Sequence, residues 1–148
     1  MFNKVTLALT LLLLASIAKA DHITTRGAWS PEAAPVARVM AAYMDITNKN
    51  NKDSYITAIS SPQFKKVEIH SMFHKDGMMR MEKQDKLKLP AGKTTSLEPG
   101  GYHVMLFNPK KWYQAGSKFT LNLTIDNKNT FSIIVPVIKD QDGDHKHH

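Results

Sequence analysis

Short runs of alternating hydrophobic and polar residues recur along the chain, and no stretch shows sustained helical periodicity. Alternation with a period of two is typical of β-strands that bury one face. The pattern predicts eight strands, at residues 23–29, 39–47, 54–59, 66–72, 78–82, 102–107, 118–125 and 130–138. Turns rich in Gly, Pro, Asn and Asp separate them. We therefore expect an all-β fold, an antiparallel β-sandwich or barrel, in a single domain.

Two of these strands allow finer predictions. In the second strand the apolar side chains of alternate residues fall on one face, so Met40 and Met44 are interpreted as core residues rather than metal ligands. In the last strand, Pro136 cannot donate a backbone hydrogen bond. Its presence indicates that this strand lies at a sheet edge or ends there.

The two ends of the sequence differ in composition from the predicted strands. Residues 5–17 are almost entirely apolar, follow a lysine and precede an Ala-Lys-Ala motif. This pattern predicts a secretory signal peptide at residues 1–20. The apolar run is too short for a membrane-spanning helix, which needs roughly twenty apolar residues. The mature domain would be residues 21–139, with no stable membrane insertion after cleavage. Residues 140–148 contain no apolar side chain and are expected to form a disordered, His-rich tail.

Composition and charge narrow the possible chemistry. The chain carries a net charge of +7 and contains no cysteine. The missing thiols exclude disulfides, thiolate metal sites, blue-copper centres and a lipoprotein anchor. In the periplasm that the signal peptide implies, nucleic acid is not an expected partner, and the positive charge favours acidic proteins or anionic lipids. The sequence also lacks a P-loop, the motifs of hydrolases and zinc proteases, and paired carboxylates for acid–base catalysis, so we do not expect an enzyme.

Methionine and histidine remain as the residues that could carry chemistry, with eight and seven copies. His103 and Met105 alternate in one predicted strand, so their side chains share a face. The same spacing recurs in an earlier strand, at His70 and Met72. A third predicted strand carries Met79 and Met81, whose thioethers also share a face.

This combination of ligands predicts a copper site. Thioether sulfur is soft and selects Cu(I), whereas zinc seldom takes Met, and calcium and magnesium require oxygen ligands. Two His and two Met would enclose Cu(I) in a roughly tetrahedral shell with no open position for a substrate. Such a shell suits holding and transferring an ion better than catalysis, so a copper-dependent oxidoreductase is not favoured.

The spacing of four of these residues resembles that of a known family. His70, ten residues, Met81, twenty-one residues, His103, one residue and Met105 match the H-x10-M-x21-H-x-M motif of the periplasmic PCuAC copper chaperones. Neighbouring words such as Leu-Glu-Pro-Gly-Gly-Tyr-His at residues 97–103 match as well. The resemblance implies a cupredoxin-like β-sandwich that binds one Cu(I) through these two His and two Met.

The resemblance also implies a function. Members of the family are associated with copper delivery to the CuA centre of cytochrome c oxidase, often alongside a Sco-type thiol protein. A copper sequestration or tolerance protein without a specific recipient would use the same residues, and the sequence does not separate the two. Met72 is interpreted as a reserve ligand or a cover for the site, and Met79 as a shield or a packing residue.

The remaining histidines suggest accessory binding. His145, His147 and His148 lie in the predicted tail, and imidazole clusters bind Cu(II) well. This tail is interpreted as a collector of Cu(II) that feeds the Cu(I) site; the alternative is a tag remnant or a tail that binds metals without specificity. His22 would be the second residue after cleavage, where it could join the free amino terminus in a further Cu(II) site.

Overall fold

The computed structural model describes residues 22–139, and this part of the chain is built from β-strands. The strands are β1 (Ile23–Pro31), β2 (Val39–Asn48), β3 (Ser54–Ser60), β4 (Phe64–Lys75), β5 (Met78–Gln84), β6 (Leu87–Leu89), β7 (Thr94–Leu97), β8 (His103–Pro109), β9 (Lys118–Ile125) and β10 (Asn129–Ile138). Residues 22–139 contain no helix that is long and apolar enough to cross a membrane. The predicted signal peptide, residues 1–20, and the predicted tail, residues 140–148, lie outside the described residues.

All eight predicted strands are present, and β9 has the predicted bounds. The sequence analysis missed β6 and β7, which have three and four residues. Runs this short show too few alternations to be recognised from the hydrophobic pattern alone. Of the two alternatives for the last strand, the one in which it ends at Pro136 is wrong, whereas an edge position fits residues 129–136, which pair with β9. β10 pairs with β9 through Pro136 and then continues beside β1, where Val137 and Ile138 pair with Ser30 and Pro31.

The strands follow one path, in the order β5-β4-β8-β2-β1-β10-β9-β3-β6, with β7 paired to β2. The pairing of β1 with β10 is parallel, and the other described strand pairs are antiparallel. The two halves of this path, β5-β4-β8-β2 and β10-β9-β3-β6, form the two layers of the sandwich and pack on each other. Phe64 of β4 meets Phe119 of β9 edge-on, with ring centroids 4.9 Å apart. The all-β, cupredoxin-like sandwich predicted from the sequence is confirmed.

Buried Asn48, at the end of β2, links the two layers of the sandwich. Its side-chain amide donates hydrogen bonds to the carbonyl oxygens of Leu89 in β6, at 2.8 Å, and Lys52, at 2.9 Å. Its side-chain oxygen accepts a hydrogen bond from the backbone N–H of Asn50. A buried amide with these partners avoids the free-energy cost of unpaired polar groups, about 1–3 kcal/mol for each group.

The hydrophobic core lies between the layers and fixes which face of β4 and β8 points outward. Met40 and Met44 are 5% and 2% exposed, so their prediction as core residues is confirmed. On β8, Val104 and Leu106 are fully buried, and on β4 Ile69 is buried. Because neighbours in a strand point to opposite faces, the residues that alternate with these lie on the outer face of the sheet.

Candidate metal centre

The four predicted copper ligands lie on three neighbouring strands, β5, β4 and β8. His70 of β4 is directly opposite His103 of β8. Met105 follows on the same face of β8. Met81 of β5 is directly opposite Met72, which follows His70 by two positions in β4. Directly opposed residues share a face of an antiparallel sheet. The strand register therefore places all four side chains on the outer face.

The two histidines are neighbours with limited contact with solvent. Their ring centroids are 5.9 Å apart and the ring planes are inclined by 31°. His103 is 6% exposed, and the side chain of His70 is 14% exposed. Phe107, further along β8, borders the pair, with its ring centroid 6.4 Å from that of His70. Both imidazoles are therefore largely enclosed by neighbouring residues rather than projecting freely from the surface.

A turn between β7 and β8 orients His103. Both strands pair with β2, and residues 98–102 interrupt them. Gly100 has φ +84°, a conformation that glycine adopts without steric cost. The carbonyl oxygen of Gly101 accepts a hydrogen bond from His103 Nδ1 at 3.1 Å and another from the backbone N–H of Met72 at 3.2 Å. Because Nδ1 donates, the neutral ring carries its lone pair on Nε2.

Glu68 orients the other histidine, a role that the sequence analysis missed. Its Oε2 accepts a hydrogen bond from His70 Nε2 at 2.8 Å. This bond leaves the lone pair of a neutral His70 on Nδ1, which is buried and has no hydrogen-bond partner within the described residues. A carboxylate that binds the far nitrogen of an imidazole is the usual way of orienting a metal-binding histidine. Each histidine therefore offers one uncommitted nitrogen.

Two lysines balance the charge of Glu68. Lys66 Nζ and Lys83 Nζ lie 3.3 Å and 3.7 Å from Glu68 Oε1. The hydrogen bond from His70 lowers the pKa of Glu68 most strongly. Burial opposes it as the next-largest effect, Lys66 and Lys83 lower the pKa further, and the net shift is downward. The carboxylate is thus ionised at neutral pH. Lys66 also lies over the ring of Phe107, 4.4 Å from its centroid.

The thioethers flank the histidine pair along the strands, with Met105 opposite Glu68 on one side and the Met72–Met81 pair on the other, and they differ in exposure. Met105 and Met72 are partly buried, whereas Met81 and Met79 are 50% and 47% exposed. Within residues 22–139, no group of three or more His, Asp or Glu side chains is gathered closely enough to hold a metal ion. The further soft ligands on this face are the methionine sulfurs.

Of the predicted accessory histidines, His22 lies within the described residues, and it is not part of this arrangement. His22 is exposed and precedes β1, which β2 separates from β8 in the sheet. His145, His147 and His148 lie outside the described residues. Their proposed binding of Cu(II) stays a prediction.

Comparison with known proteins places the chain among related sequences and folds. The family model described as "Putative lipoprotein LpqE-like" matches residues 23–137. "Putative lipoprotein Lxx21020" of Leifsonia xyli subsp. xyli is 30% identical over 126 residues, which cover 84% of this chain and 74% of that protein.

Solved structures share the same architecture. The apo form of DR1885 from Deinococcus radiodurans matches with a TM-score of 0.64 and 29% identity, over 85% of each chain. The copper-bound PCuAC domain from PmoF2 matches with a TM-score of 0.67 over 80% of this chain and 94% of that domain, at 19% identity. The chain therefore has the fold of PCuAC domains and belongs to the LpqE-like family.

Proposed function

We propose that this protein is an exported copper carrier that binds one Cu(I) through His70, Met81, His103 and Met105. The observation that carries the proposal is the pairing of two imidazoles, each with one ring nitrogen uncommitted, on a face that also bears thioethers. A structure of DR1885 with Cu(I) has also been solved; it matches 80% of this chain at 27% sequence identity. This relationship supports copper as the cargo.

The ligand set suits transfer rather than turnover. Imidazole nitrogen and thioether sulfur are neutral, and thioether sulfur favours Cu(I) over harder ions. A recipient can replace such ligands one at a time while copper keeps its oxidation state. Met81, with half of its surface exposed, is the ligand that an incoming group reaches most directly, whereas His103 is almost buried. We therefore infer that exchange begins at Met81, and we propose no enzymatic activity.

We also propose where the protein acts and which protein receives its copper. The predicted signal peptide and membership of a family described as lipoproteins support export to the periplasm. There, the CuA centre of cytochrome c oxidase is the proposed recipient, with a Sco-type protein as a proposed partner. The His-rich tail at residues 140–148 would collect Cu(II) ahead of the main site.

An anaerobic competition titration with a Cu(I) chelator tests the body site. Residues 21–139, without the tail, are expected to bind one Cu(I) per chain as tightly as the mature chain does, because the four proposed ligands lie in strands. X-ray absorption should show both nitrogen and sulfur around the metal. Loss of tight Cu(I) binding on removal of the tail would place the site in the terminal histidines instead.

Deletion of the gene under copper limitation tests delivery. We expect oxidase activity to fall and to return with the wild-type gene or with added copper, but not with a variant that lacks the proposed ligands. Oxidase activity that stays normal in the deletion strain, together with increased sensitivity to excess copper, would contradict delivery. That result would identify copper sequestration as the function.

A further inference from the structure

The outer face of the β4–β5 hairpin carries soft ligands beyond the proposed copper centre. Following β4 away from His70, Met72 is directly opposite Met81, and His74 is directly opposite Met79. Each step covers two residues, or about 7 Å along a strand. The His70–His103 pair is therefore the first of three cross-strand pairs of imidazole or thioether groups on one face.

The outermost pair, His74 and Met79, is held in a fixed register by a tight turn. Asp76 and Gly77 have φ values of +53° and +74°. Positive φ at both central residues is the requirement of a type I′ turn, which connects antiparallel strands without splaying them. Directly opposed side chains in such a pair have Cβ atoms about 4.5–5.5 Å apart. A ring nitrogen of His74 and the sulfur of Met79 can thus reach one ion.

Exposure distinguishes this pair from the inner one. His74 is exposed, and Met79 is 47% exposed, whereas His103 is 6% exposed. β5 is an edge strand on which Met78, Met79 and Met81 are all about half exposed. Packing in the core does not account for these methionines, because their side chains remain in contact with water.

We infer that His74 and Met79 form a second, weaker Cu(I) site, a transfer station between the inner centre and the recipient. The inference rests on the proposed function, since it takes Cu(I) as the cargo. Met72, directly opposite the inner ligand Met81, lies between the two sites and provides a sulfur ligand for the intermediate step. Each step forms one copper–ligand bond and breaks another, and the copper stays Cu(I).

Nuclear magnetic resonance of the mature chain labelled at the methionine methyl groups tests this site during anaerobic addition of Cu(I). The first equivalent is expected to shift the methyl resonance of Met105, and the second that of Met79. Met78 is the matched control, because it has the same side chain, is 55% exposed and points to the opposite face of β5.

Two variants complete the test. The double variant His74→Asn, Met79→Leu is expected to lower the affinity for the second Cu(I) at least about tenfold. Met78→Leu is expected to leave that affinity unchanged. Both changes are at exposed positions, and thermal unfolding checks that the fold is kept. Equal shifts of Met78 and Met79, or an unchanged second affinity in the double variant, would overturn the inference. Failure of the first equivalent to shift Met105 would instead count against the proposed inner centre.

Discussion

Replacing His103 by Asn and Met105 by Leu together is expected to weaken Cu(I) binding at least about 1,000-fold, because inner ligands contribute more than the about 10–100-fold typical of outer-shell residues. Asn retains an amide that can donate to the Gly101 carbonyl oxygen in place of His103 Nδ1, but it lacks the second ring nitrogen. Leu conserves the volume of Met and removes its sulfur. The competition titration with a Cu(I) chelator measures the loss.

A methionine on the other face of the sheet provides the control for this variant. Met40 is opposite Leu106 in the strand pairing and faces the core. Met40→Leu should leave Cu(I) affinity unchanged, because a volume-conserving exchange in the core removes no ligand. Thermal unfolding of the double variant near the wild-type temperature would show that the sheet is retained. A folded double variant that binds Cu(I) as tightly as the wild type would refute the ligand assignment.

The hydrophobic pattern was sufficient to predict the longer strands because each repeats its alternation several times. β6, with the sequence Leu-Lys-Leu, and β7, Thr-Thr-Ser-Leu, are stabilised by their neighbours instead. The two leucines of β6 are buried, and β6 pairs with β3. β7 buries Leu97 and pairs with β2. Such contacts come from distant parts of the chain, so a local pattern does not reveal them.

The candidate site was predictable only within single strands. The alternation of His103 with Met105 showed that the two side chains share a face. That His103 lies opposite His70 depends on β4 and β8 being neighbours in the sheet, which local alternation does not specify. Glu68 could have been noticed, because it alternates with His70 and shares its face. Its role in orienting His70 became evident only from the hydrogen bond that it accepts from His70 Nε2.

Glu68→Gln is expected to weaken Cu(I) binding by about 10–100-fold, the range typical for residues that orient a metal ligand. Gln can present either its oxygen or its amide to His70, so the variant no longer fixes the proton on Nε2. Nitrogen magnetic resonance of the metal-free protein provides a second measurement. His70 should show the Nε2–H tautomer in the wild type and a mixture of tautomers in the variant.

The charge of Glu68 contributes separately, because Lys66 and Lys83 lose their counter-ion in the variant and then repel a copper cation. Adding Lys83→Gln separates the two effects: recovered affinity would assign the loss to charge, and unrecovered affinity to the orientation of His70. Glu82→Gln is the matched control, since Glu82 is exposed and pairs with Ser71 on the opposite face. If Glu68→Gln and Glu82→Gln both bound copper as the wild type does, the carboxylate would have no part in the site. Affinity lost only at Glu68, together with mixed tautomers, would make the hydrogen bond from His70 part of the copper centre.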